Sequence, residues 1–466
     1  MNVLDKKILE MKDENIQAVR ESIMIKSVES EKKGDMPFGE GVQKVLENAL
    51  ELSKNLGFKT VNLDNMVGYA EYGEGDEMVA VLGHLDVVPE GDGWTYPPYG
   101  GEIHDGKLYG RGALDDKGPT IGALFALKAI KDLGLPLKRR VRVIFGTNEE
   151  SGSRGVRHYV ERDEMPVAGF TPDAEYPIIN AEKGIITCNF KRNFNRASGK
   201  TNLVSITGGT VSNVVPDYAE AIVYGDSLNK ADLVDKYTEI TKGRKLRFEL
   251  EDADIPEHLK IKVFGVSAHG STPHLGENAI SGLIHFLSKL DLEEEMKKFM
   301  IFMKENIGYE TDGKSLSINI KDDVSGELTF NLGTIKGNCD EISFSINIRY
   351  PVTKKDDDFM KTLTDKMSTV GLSVEHIDHA APLYVSPEEE FIKKLQKVYT
   401  EKTGDEAKLL AIGGGTYAKS MKNIVAFGPT FPGEEGIIHK PDEYITIDSL
   451  IKNVQIMAAA MYELAN

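Results

Sequence analysis

A strand–helix–strand pattern between residues 77 and 145 is the feature that most restricts how this chain can fold. The apolar run 77–82 (EMVAVL) predicts a strand, residues 118–133 predict a helix that ends at Gly134, and residues 140–145 (RVRVIF) predict a second strand. Apolar runs of this kind suit central strands that are covered on both faces. The alternation predicts an α/β domain with a mixed, largely parallel sheet flanked by helices.

Histidine and acidic residues follow both predicted strands. His84 and Asp86 come directly after the first strand, and Glu149 and Glu150 follow the second. In open α/β sheets, ligands bind beyond the carboxyl ends of the strands. We therefore expect these side chains to lie at a functional site.

A glycine-flanked acidic turn, GRGALDDKGP at residues 110–119, lies between the two strands. Glycine permits sharp turns, and Pro119 suits the first turn of the helix that follows. Two adjacent carboxylates beside a lysine at the start of a helix are also explained as a solvated cap. Taken alone, this turn leaves both interpretations open.

The sequence pattern changes at about residue 186. Residues 185–190, 202–206 and 218–223 predict short strands, and the α/β pattern returns with a helix at 388–403. We expect residues 1–185 plus 383–466 to form one α/β domain. Residues 186–382 are expected to form an α+β domain inserted into it.

The charge and the hydropathy of the chain argue against nucleic-acid and membrane partners. The chain has 74 acidic against 56 basic side chains and a formal net charge of −18, which argues against nucleic acid because that binding neutralises phosphates with Lys and Arg. No apolar run approaches the ~18 residues of a membrane span, and the N-terminus lacks the pattern of a secretory signal. Cys188 and Cys339 lie far apart and are expected to be buried free thiols. These features favour a cytoplasmic protein without membrane contacts.

Six side chains within about ninety residues suit a metal centre: His84, Asp86, Asp115, Glu149, Glu150 and Asp173. Imidazole and carboxylate groups bind zinc, or manganese where oxygen ligands dominate. Two cations ~3.5–4 Å apart need a shared anionic ligand, and one carboxylate on the glycine-flanked turn can supply it. Asp86 stands two residues after His84, so in an extended segment both point to the same side and Asp86 could orient the imidazole.

These motifs give the chain a clear resemblance to the co-catalytic zinc metallopeptidases that include carnosinase, aminoacylase and succinyl-diaminopimelate desuccinylase. It is most similar to the PepV-type bacterial dipeptidases, whose length and Gly-Gly-Gly-Thr segment it shares. The resemblance covers nearly the whole chain. The matching motifs, in chain order, are GHLDVVP at 83–89, GRG at 110–112, DDKG at 115–118, TNEESG at 147–152, Pro172-Asp173, NVVP at 213–216, Ala268-His269 through Pro273, and His439.

The resemblance implies a site for two divalent cations in a zinc-exopeptidase-like domain. Asp115 would bridge both cations, His84 and Asp173 would complete one site, and Glu150 and His439 would complete the other. Zinc is the family default, with manganese or cobalt as alternatives. The residues alone could not distinguish the roles of Glu149 and Glu150.

The resemblance also assigns the reacting groups. Glu149 would be the general base that takes a proton from a cation-activated water and later protonates the leaving amine. Asp86 would support His84. His269, in the inserted domain, would donate a hydrogen bond to the tetrahedral oxyanion.

Five further positions match substrate-binding residues of PepV-type enzymes or their Gly-Gly-Gly-Thr loop. Asn213 and Arg349 would bind the substrate, and an arginine suits a free α-carboxylate because it can bind both oxygens. Gly414, Gly415 and Thr416 lie in a loop that could offer backbone amides to the same carboxylate.

The expected function is therefore a metal-dependent dipeptidase that hydrolyses short peptides with a free N-terminus. An N-acyl-amino-acid deacylase with the same site is the nearest alternative, and an inactive binding homologue is a third. The length of the insertion favours a monomer whose inserted domain acts as a lid. We also expect a cis peptide bond between Asp115 and Asp116, as in the family.

Overall fold

The computed structural model describes residues 3–195, 199–225 and 228–466. The chain forms two compact units. The first unit comprises Met1–Asn180, Val385–Leu410 and Gly415–Asn466, and the second comprises Ala181–Tyr384 and Ala411–Gly414. The sequence pattern did not anticipate the short return of 411–414 to the second unit.

The helices and strands of the described residues are numbered in chain order. The α-helices are α1 (Val3–Glu10), α2 (Lys12–Ile23), α3 (Glu40–Asn55), α4 (Lys117–Asp132), α5 (Arg154–Arg162), α6 (Lys230–Thr241), α7 (Ala279–Leu287), α8 (Glu294–Asn306), α9 (Asp357–Ser368), α10 (Glu390–Thr403) and α11 (Ile447–Leu464). The strands before residue 200 are β1 (Lys59–Leu63), β2 (Val67–Tyr72), β3 (Met78–His84), β4 (Glu102–His104), β5 (Lys107–Tyr109), β6 (Arg140–Gly146), β7 (Ala168–Thr171), β8 (Ala174–Glu175), β9 (Ile178–Glu182) and β10 (Gly184–Asn193). The later strands are β11 (Asn202–Gly208), β12 (Tyr218–Tyr224), β13 (Arg247–Asp252), β14 (His258–Phe264), β15 (Lys321–Asp322), β16 (Gly326–Glu327), β17 (Thr329–Gly337), β18 (Glu341–Tyr350), β19 (Ser373–Ala380), β20 (Leu383–Tyr384), β21 (Leu409–Ile412), β22 (Ile424–Ala426), β23 (Pro429–Thr430) and β24 (Tyr444–Thr446).

The central sheet of the first unit runs β1-β2-β6-β3-β7-β22-β9. Its four middle strands, β6, β3, β7 and β22, pair in parallel, whereas the pairs on either side are antiparallel. Every residue of β3 is buried, as expected for a strand covered on both faces. The expected α/β fold with a mixed sheet is confirmed, with parallel pairing confined to the centre.

Helix α4 lies at the centre of the first unit's core. Thirteen of its sixteen residues are buried, and solvent reaches this helix only at Lys128, Lys131 and Asp132 near its C-terminus. The helix packs against α2, α11 and the sheet. Gly122 lets α11 approach closely, because a β-carbon there would lie 3.0 Å from Val454 Cγ2. This packing holds the start of α4 in place beside the acidic turn.

The second unit has an antiparallel sheet of its own, ordered β13-β14-β12-β11-β17-β18-β10-β19. Helix α7 packs on β12, β14 and β17, and the apolar faces of these elements form a separate hydrophobic core. The unit therefore has the α+β composition that the sequence predicts.

Two details differ from the sequence-based expectations. The apolar spacing of residues 4–23 predicts one continuous helix, but the structure breaks it at Met11 into α1 and α2. Cys188 and Cys339 are both free, and Cys188 is buried, but the prediction that Cys339 is buried is wrong. Cys339 lies in the exposed turn between β17 and β18, where no strand face covers it.

Among the described residues, every helix is too short or too polar to cross a membrane.

Candidate metal centre

Three neighbouring parallel strands bring their polar ends to one edge of the central sheet. His84 is the last residue of β3, Glu149 and Glu150 follow β6, and Asp173 follows β7. Since β3 lies between β6 and β7, His84 stands between the Glu149–Glu150 pair on one side and Asp173 on the other. The structure thus brings together the side chains that the sequence predicted at the strand ends.

Asp115 faces two histidines with its two carboxylate oxygens. Its Oδ1 lies 3.0 Å from His84 Nε2, and its Oδ2 lies 3.1 Å from His439 Nε2. Asp115 lies two residues before the start of α4, on a turn in which Gly112 has a φ of +88°, a conformation that favours glycine. The expected cis bond between Asp115 and Asp116 is present.

Two ligand groups share Asp115. One consists of His84, Asp115 and Asp173, and the other of Asp115, Glu150 and His439, with the ligand atoms in each group within 4.8 Å of one another. His84 Nε2 lies 3.0 Å from Asp115 and 3.7 Å from Asp173, and His439 Nε2 lies 3.1 Å from both Asp115 and Glu150. These distances are close to the roughly 3.3–3.6 Å expected between ligands about 2.0–2.2 Å from a tetrahedral zinc ion. The mixture of imidazole and carboxylate donors therefore fits two divalent cations that share one carboxylate.

His439 reaches this edge from a loop late in the chain. It lies between β23 and β24, has a φ of +62°, and is half-exposed. Its Nε2 also lies 3.1 Å from Glu150 Oε1, across 289 residues of sequence. Both acidic partners that the resemblance implies for His439 are in contact with it.

Asp86 contacts both His84 and the acidic pair that follows β6. His84 Nδ1 contacts the backbone oxygen of Asp86 at 3.0 Å, while the carboxylate is 3.6 Å away. The carboxylate instead accepts hydrogen bonds from the backbone N–H groups of Glu149 and Glu150, each at 3.1 Å. Asp86 therefore positions both the histidine ring and the acidic pair after β6.

Sequence reasoning missed two buried residues that contact His84. Asp116 accepts hydrogen bonds through Oδ2 from the His84 backbone N–H at 3.1 Å and from the Thr120 hydroxyl at 2.8 Å. Tyr417 places its ring edge-on to the His84 ring with centroids 5.9 Å apart, and a β-carbon at Gly146 would clash with the tyrosine hydroxyl. An acidic neighbour and a distant tyrosine give no periodic signal in the sequence.

The electrostatics of the site favour cations. Burial, together with the negative charges of Asp173 and Glu150, raises the pKa of Glu149 well above its ordinary value. Burial raises the pKa of Asp173 to about 6. Hydrogen bonds to Asp115 and Glu150 raise the pKa of His439 to about 10. A cluster of buried carboxylates is costly to ionise, and divalent cations would relieve that cost.

The second unit holds a separate cluster of predicted site residues. The backbone N–H of Gly270 donates to Asn213 O at 2.7 Å, next to a β-bridge between Val214 and His269. Arg349 is almost fully buried on β18, where its guanidinium donates to Asn347 Oδ1 at 2.8 Å and Gly413 O at 3.3 Å.

The hydrogen bonds of His269 define its tautomer. Its Nδ1 lies 2.6 Å from the Ser271 hydroxyl and accepts from the Ser271 backbone N–H at 3.3 Å. Burial and the nearby charge of Arg349 lower the pKa of His269, which favours the neutral ring. With Nδ1 as the acceptor, the proton lies on Nε2, which can donate a hydrogen bond.

The predicted glycine loop is divided between the units. Gly414 belongs to the second unit, whereas Gly415 and Thr416 belong to the first. Thr416 caps the short 3₁₀ helix Tyr417–Ser420, because its side chain accepts from the Ala418 backbone N–H. This cap leads directly to Tyr417 beside His84.

Comparison with known proteins gives one family. The family model described as peptidase family M20/M25/M40 matches residues 80–463. The chain is 42% identical over 468 residues to the Bacillus subtilis (strain 168) protein named "Putative dipeptidase YtjP", with 98% of each chain covered. It is 34% identical over 464 residues to "Putative dipeptidase SH1171" of Staphylococcus haemolyticus (strain JCSC1435), again with 98% of each covered.

Solved structures show the same fold at low identity. Human carnosine dipeptidase 1 superposes with a TM-score of 0.59 at 16% identity, covering 100% of this chain and 99% of that chain. Aminopeptidase PepT from Bacillus cereus ATCC 10987 also gives 0.59 at 16% identity, covering 97% and 99%. Because the family model matches most of its length, this chain belongs to the M20/M25/M40 peptidase family.

Proposed function

We propose that the protein is a metal-dependent dipeptidase that hydrolyses the peptide bond of dipeptides with a free N-terminus. The observation that carries the proposal is the position of Asp115, whose two oxygens face His84 and His439 at 3.0 and 3.1 Å. A carboxylate in this position can be shared by two cations, and two-cation sites suit hydrolysis of amide bonds. The names of the relatives at 42% and 34% identity support the same activity.

The ligand roles follow the two groups of side chains. We assign His84 and Asp173 to one cation, Glu150 and His439 to the other, and Asp115 to both. When bound, the cations would lower the pKa of a water molecule and polarise the peptide carbonyl. Zinc is our proposal for the resident metal, with manganese or cobalt as the alternatives to compare.

Glu149 is the proposed general base. Its backbone N–H is held by Asp86. Its carboxylate lies close to His84 and Glu150, with which it forms a third possible ligand group, but it belongs to neither of the two groups that share Asp115. In this position it can take a proton from the attacking water and return it to the leaving amine. Bound cations would stabilise the ionised carboxylate, which burial alone disfavours.

The second unit supplies the proposed substrate contacts. His269 would donate from Nε2 to the developing oxyanion, which its hydrogen bonds at Nδ1 support. Arg349 would bind the substrate's free carboxylate, together with Asn213 and the amides of Gly414, Gly415 and Thr416. Burial lowers the pKa of Arg349 to about 10, so its guanidinium stays charged at neutral pH.

We further propose that the chain acts as a monomer in the cytoplasm, with the second unit as a lid. The free thiols of Cys188 and Cys339 support a reducing compartment. Sedimentation of the active enzyme at its assay concentration tests the oligomeric state. An obligate dimer whose activity disappears on dilution would contradict the monomer.

Kinetics on metal-reconstituted enzyme test the function. Metal-free protein is loaded separately with Zn²⁺, Mn²⁺ or Co²⁺ and assayed on a panel of dipeptides and on N-acetyl amino acids. We expect dipeptides to be cleaved with kcat/KM at least tenfold above the acylated substrates. Faster turnover of the N-acetyl amino acids would identify a deacylase, and full activity of the metal-free protein would reject the proposal.

A further inference from the structure

A buried glutamate outside the predicted site binds the turn that carries Asp115. Glu443 is fully buried, and its Oε1 accepts backbone N–H groups of three residues in that turn. The donors are Gly112 at 3.1 Å, Leu114 at 3.0 Å and Asp115 at 3.1 Å. One oxygen thus fixes the backbone of the turn directly at Asp115.

The other carboxylate oxygen of Glu443 binds a buried arginine from the same turn. Arg111 donates from Nη1 to Glu443 Oε2 at 2.7 Å. The guanidinium also reaches Lys440 O at 3.3 Å and Glu90 O at 3.2 Å, and it lies 5.2 Å from the Trp94 ring centre. Arg111 therefore connects the acidic turn to the loop that contains His439.

The two ends of this network carry two proposed ligands. Asp115 donates its own N–H to Glu443, and His439 stands one residue before Lys440 and four before Glu443. The backbone adds a further link, because Gly110 N donates to Glu443 O at 2.9 Å. Any shift of Glu443 would therefore change the spacing between Asp115 and His439.

We propose that Glu443 and Arg111 are a positioning pair that sets the spacing of Asp115 and His439 for the cation held by Asp115, Glu150 and His439. The inference rests on the proposed two-metal function and adds to it residues that touch neither cation nor substrate. Groups that orient metal ligands typically change affinity by 10–100-fold when they are replaced. The cation held by His84 and Asp173 should be affected less, because it shares only Asp115 with this network, and Glu443 contacts neither His84 nor Asp173.

The chain offers a matched control for loss of a buried ion pair. Glu71 on β2 is also buried and binds a buried arginine, Arg142 on β6, at 2.6 Å. That pair holds two strands together and is bonded to none of the proposed ligands. Glu71→Gln should therefore reduce stability without a selective effect on metal binding.

The experiment compares Glu443→Gln and Glu71→Gln with the wild type by calorimetric titration of metal-free protein with Zn²⁺. Glutamine keeps the shape of the side chain but replaces one accepting oxygen by an N–H₂ group. That group then faces either the Arg111 guanidinium or the backbone N–H groups of the turn, which are themselves donors. A Glu150→Ala variant lacks one ligand of the cation that His439 binds. Its titration therefore shows which of the two binding steps belongs to that cation. We expect Glu443→Gln to raise the Kd of that step 10–100-fold and of the other step less than threefold.

Two further measurements keep the inference falsifiable. Hydrogen exchange of the peptide covering 110–116 should accelerate in metal-free Glu443→Gln and stay unchanged in Glu71→Gln. If Glu443→Gln does not fold, Arg111→Lys replaces it, and this change should raise the same Kd by a smaller factor. Lysine keeps the charge but cannot make all the contacts of the guanidinium.

Each outcome has a separate meaning. Unchanged binding of both cations by Glu443→Gln, or an equal loss in Glu71→Gln, overturns the positioning role and leaves the dipeptidase proposal intact. Selective loss of one step in a protein that cleaves no peptide supports the positioning role and rejects the proposed function. A wild type that binds no cation rejects both.

Discussion

Asp115 Oδ2 lies 3.1 Å from His439 Nε2, while its other oxygen faces His84. Asp115→Asn keeps the shape of the side chain and removes one ligand oxygen. We expect one tightly bound cation in place of two and a fall in kcat/KM of roughly a thousandfold, since several kcal/mol of transition-state stabilisation depend on the cations. Metal analysis after dialysis and steady-state kinetics measure both effects. Glu102→Gln, which changes an exposed pair with His104, is the control and should leave both unchanged.

Glu149→Gln should separate proton transfer from metal binding. The amide cannot take a proton from water, so we expect kcat to fall by about 10²–10⁴-fold with both cations retained. The measurement is kcat together with metal content. A variant that loses metal in parallel with activity would show that Glu149 is a ligand, and unchanged turnover would exclude it as the base.

Metal removal should lower the stability of the first unit. Cations that bind the folded chain but not the unfolded chain stabilise it, by about 2.7 kcal/mol at a free concentration of one hundred times Kd. We expect the Tm to fall on chelation and to recover when zinc is restored. The thermal unfolding of Asp115→Asn should respond less to added zinc than the wild type does. An identical response of both proteins would contradict the shared role of Asp115.

Arg349 should matter only for substrates with a free carboxylate. For a dipeptide, Arg349→Met should raise KM by roughly 10–100-fold, because one charge-assisted bidentate contact is lost. A dipeptide amide lacks that carboxylate, so wild type and variant should cleave it with similar KM. An equal loss on both substrates would indicate that Arg349, which bonds Asn347 and Gly413, supports the structure instead.

His285 should make the second unit sensitive to mild acid. Its ring packs against Tyr309 with centroids 4.4 Å apart and the ring planes tilted by 43°. Burial, together with the charges of Lys304, Arg244 and Lys289, lowers the pKa of His285 to about 4. The unfolded chain takes up this proton near pH 6.5 and the folded chain only near pH 4. The stabilisation is therefore complete above pH 6.5 and decreases as the pH falls to 4.

The measurement for His285 is the urea midpoint of metal-free protein at several pH values. Between pH 7 and pH 4.5 the wild type should lose more stability than His285→Gln, because glutamine at position 285 cannot take up a proton in this pH range. Parallel pH profiles for the two proteins would contradict the assignment.

The local sequence predicts the elements that frame the site. The apolar run before His84 is a buried strand, the pattern after Pro119 is a helix, and both predicted strands are followed by the polar side chains found at the sheet edge. These predictions succeed because strand burial and helix periodicity are properties of consecutive residues. The break at Met11 and the exposure of Cys339 were not predicted, since they depend on what packs against each segment.

The contacts within the site were decided by the tertiary structure. The residue types at positions 84, 115 and 150 already indicated metal chemistry, whereas only the family resemblance pointed to His439. His439 meets Glu150 across 289 residues, a pairing that no local pattern encodes. Asp86 turns its carboxylate to the amides of Glu149 and Glu150, although its spacing suggested the His84 ring. Glu443 resembles a surface acid in sequence and is fully buried in the fold. The sequence by itself determined which ligand atoms and which helices and strands are present. Only the packing of loops that are distant in sequence decided which backbone groups hold those ligands, because hydrogen bonds between distant residues form only once the chain has folded.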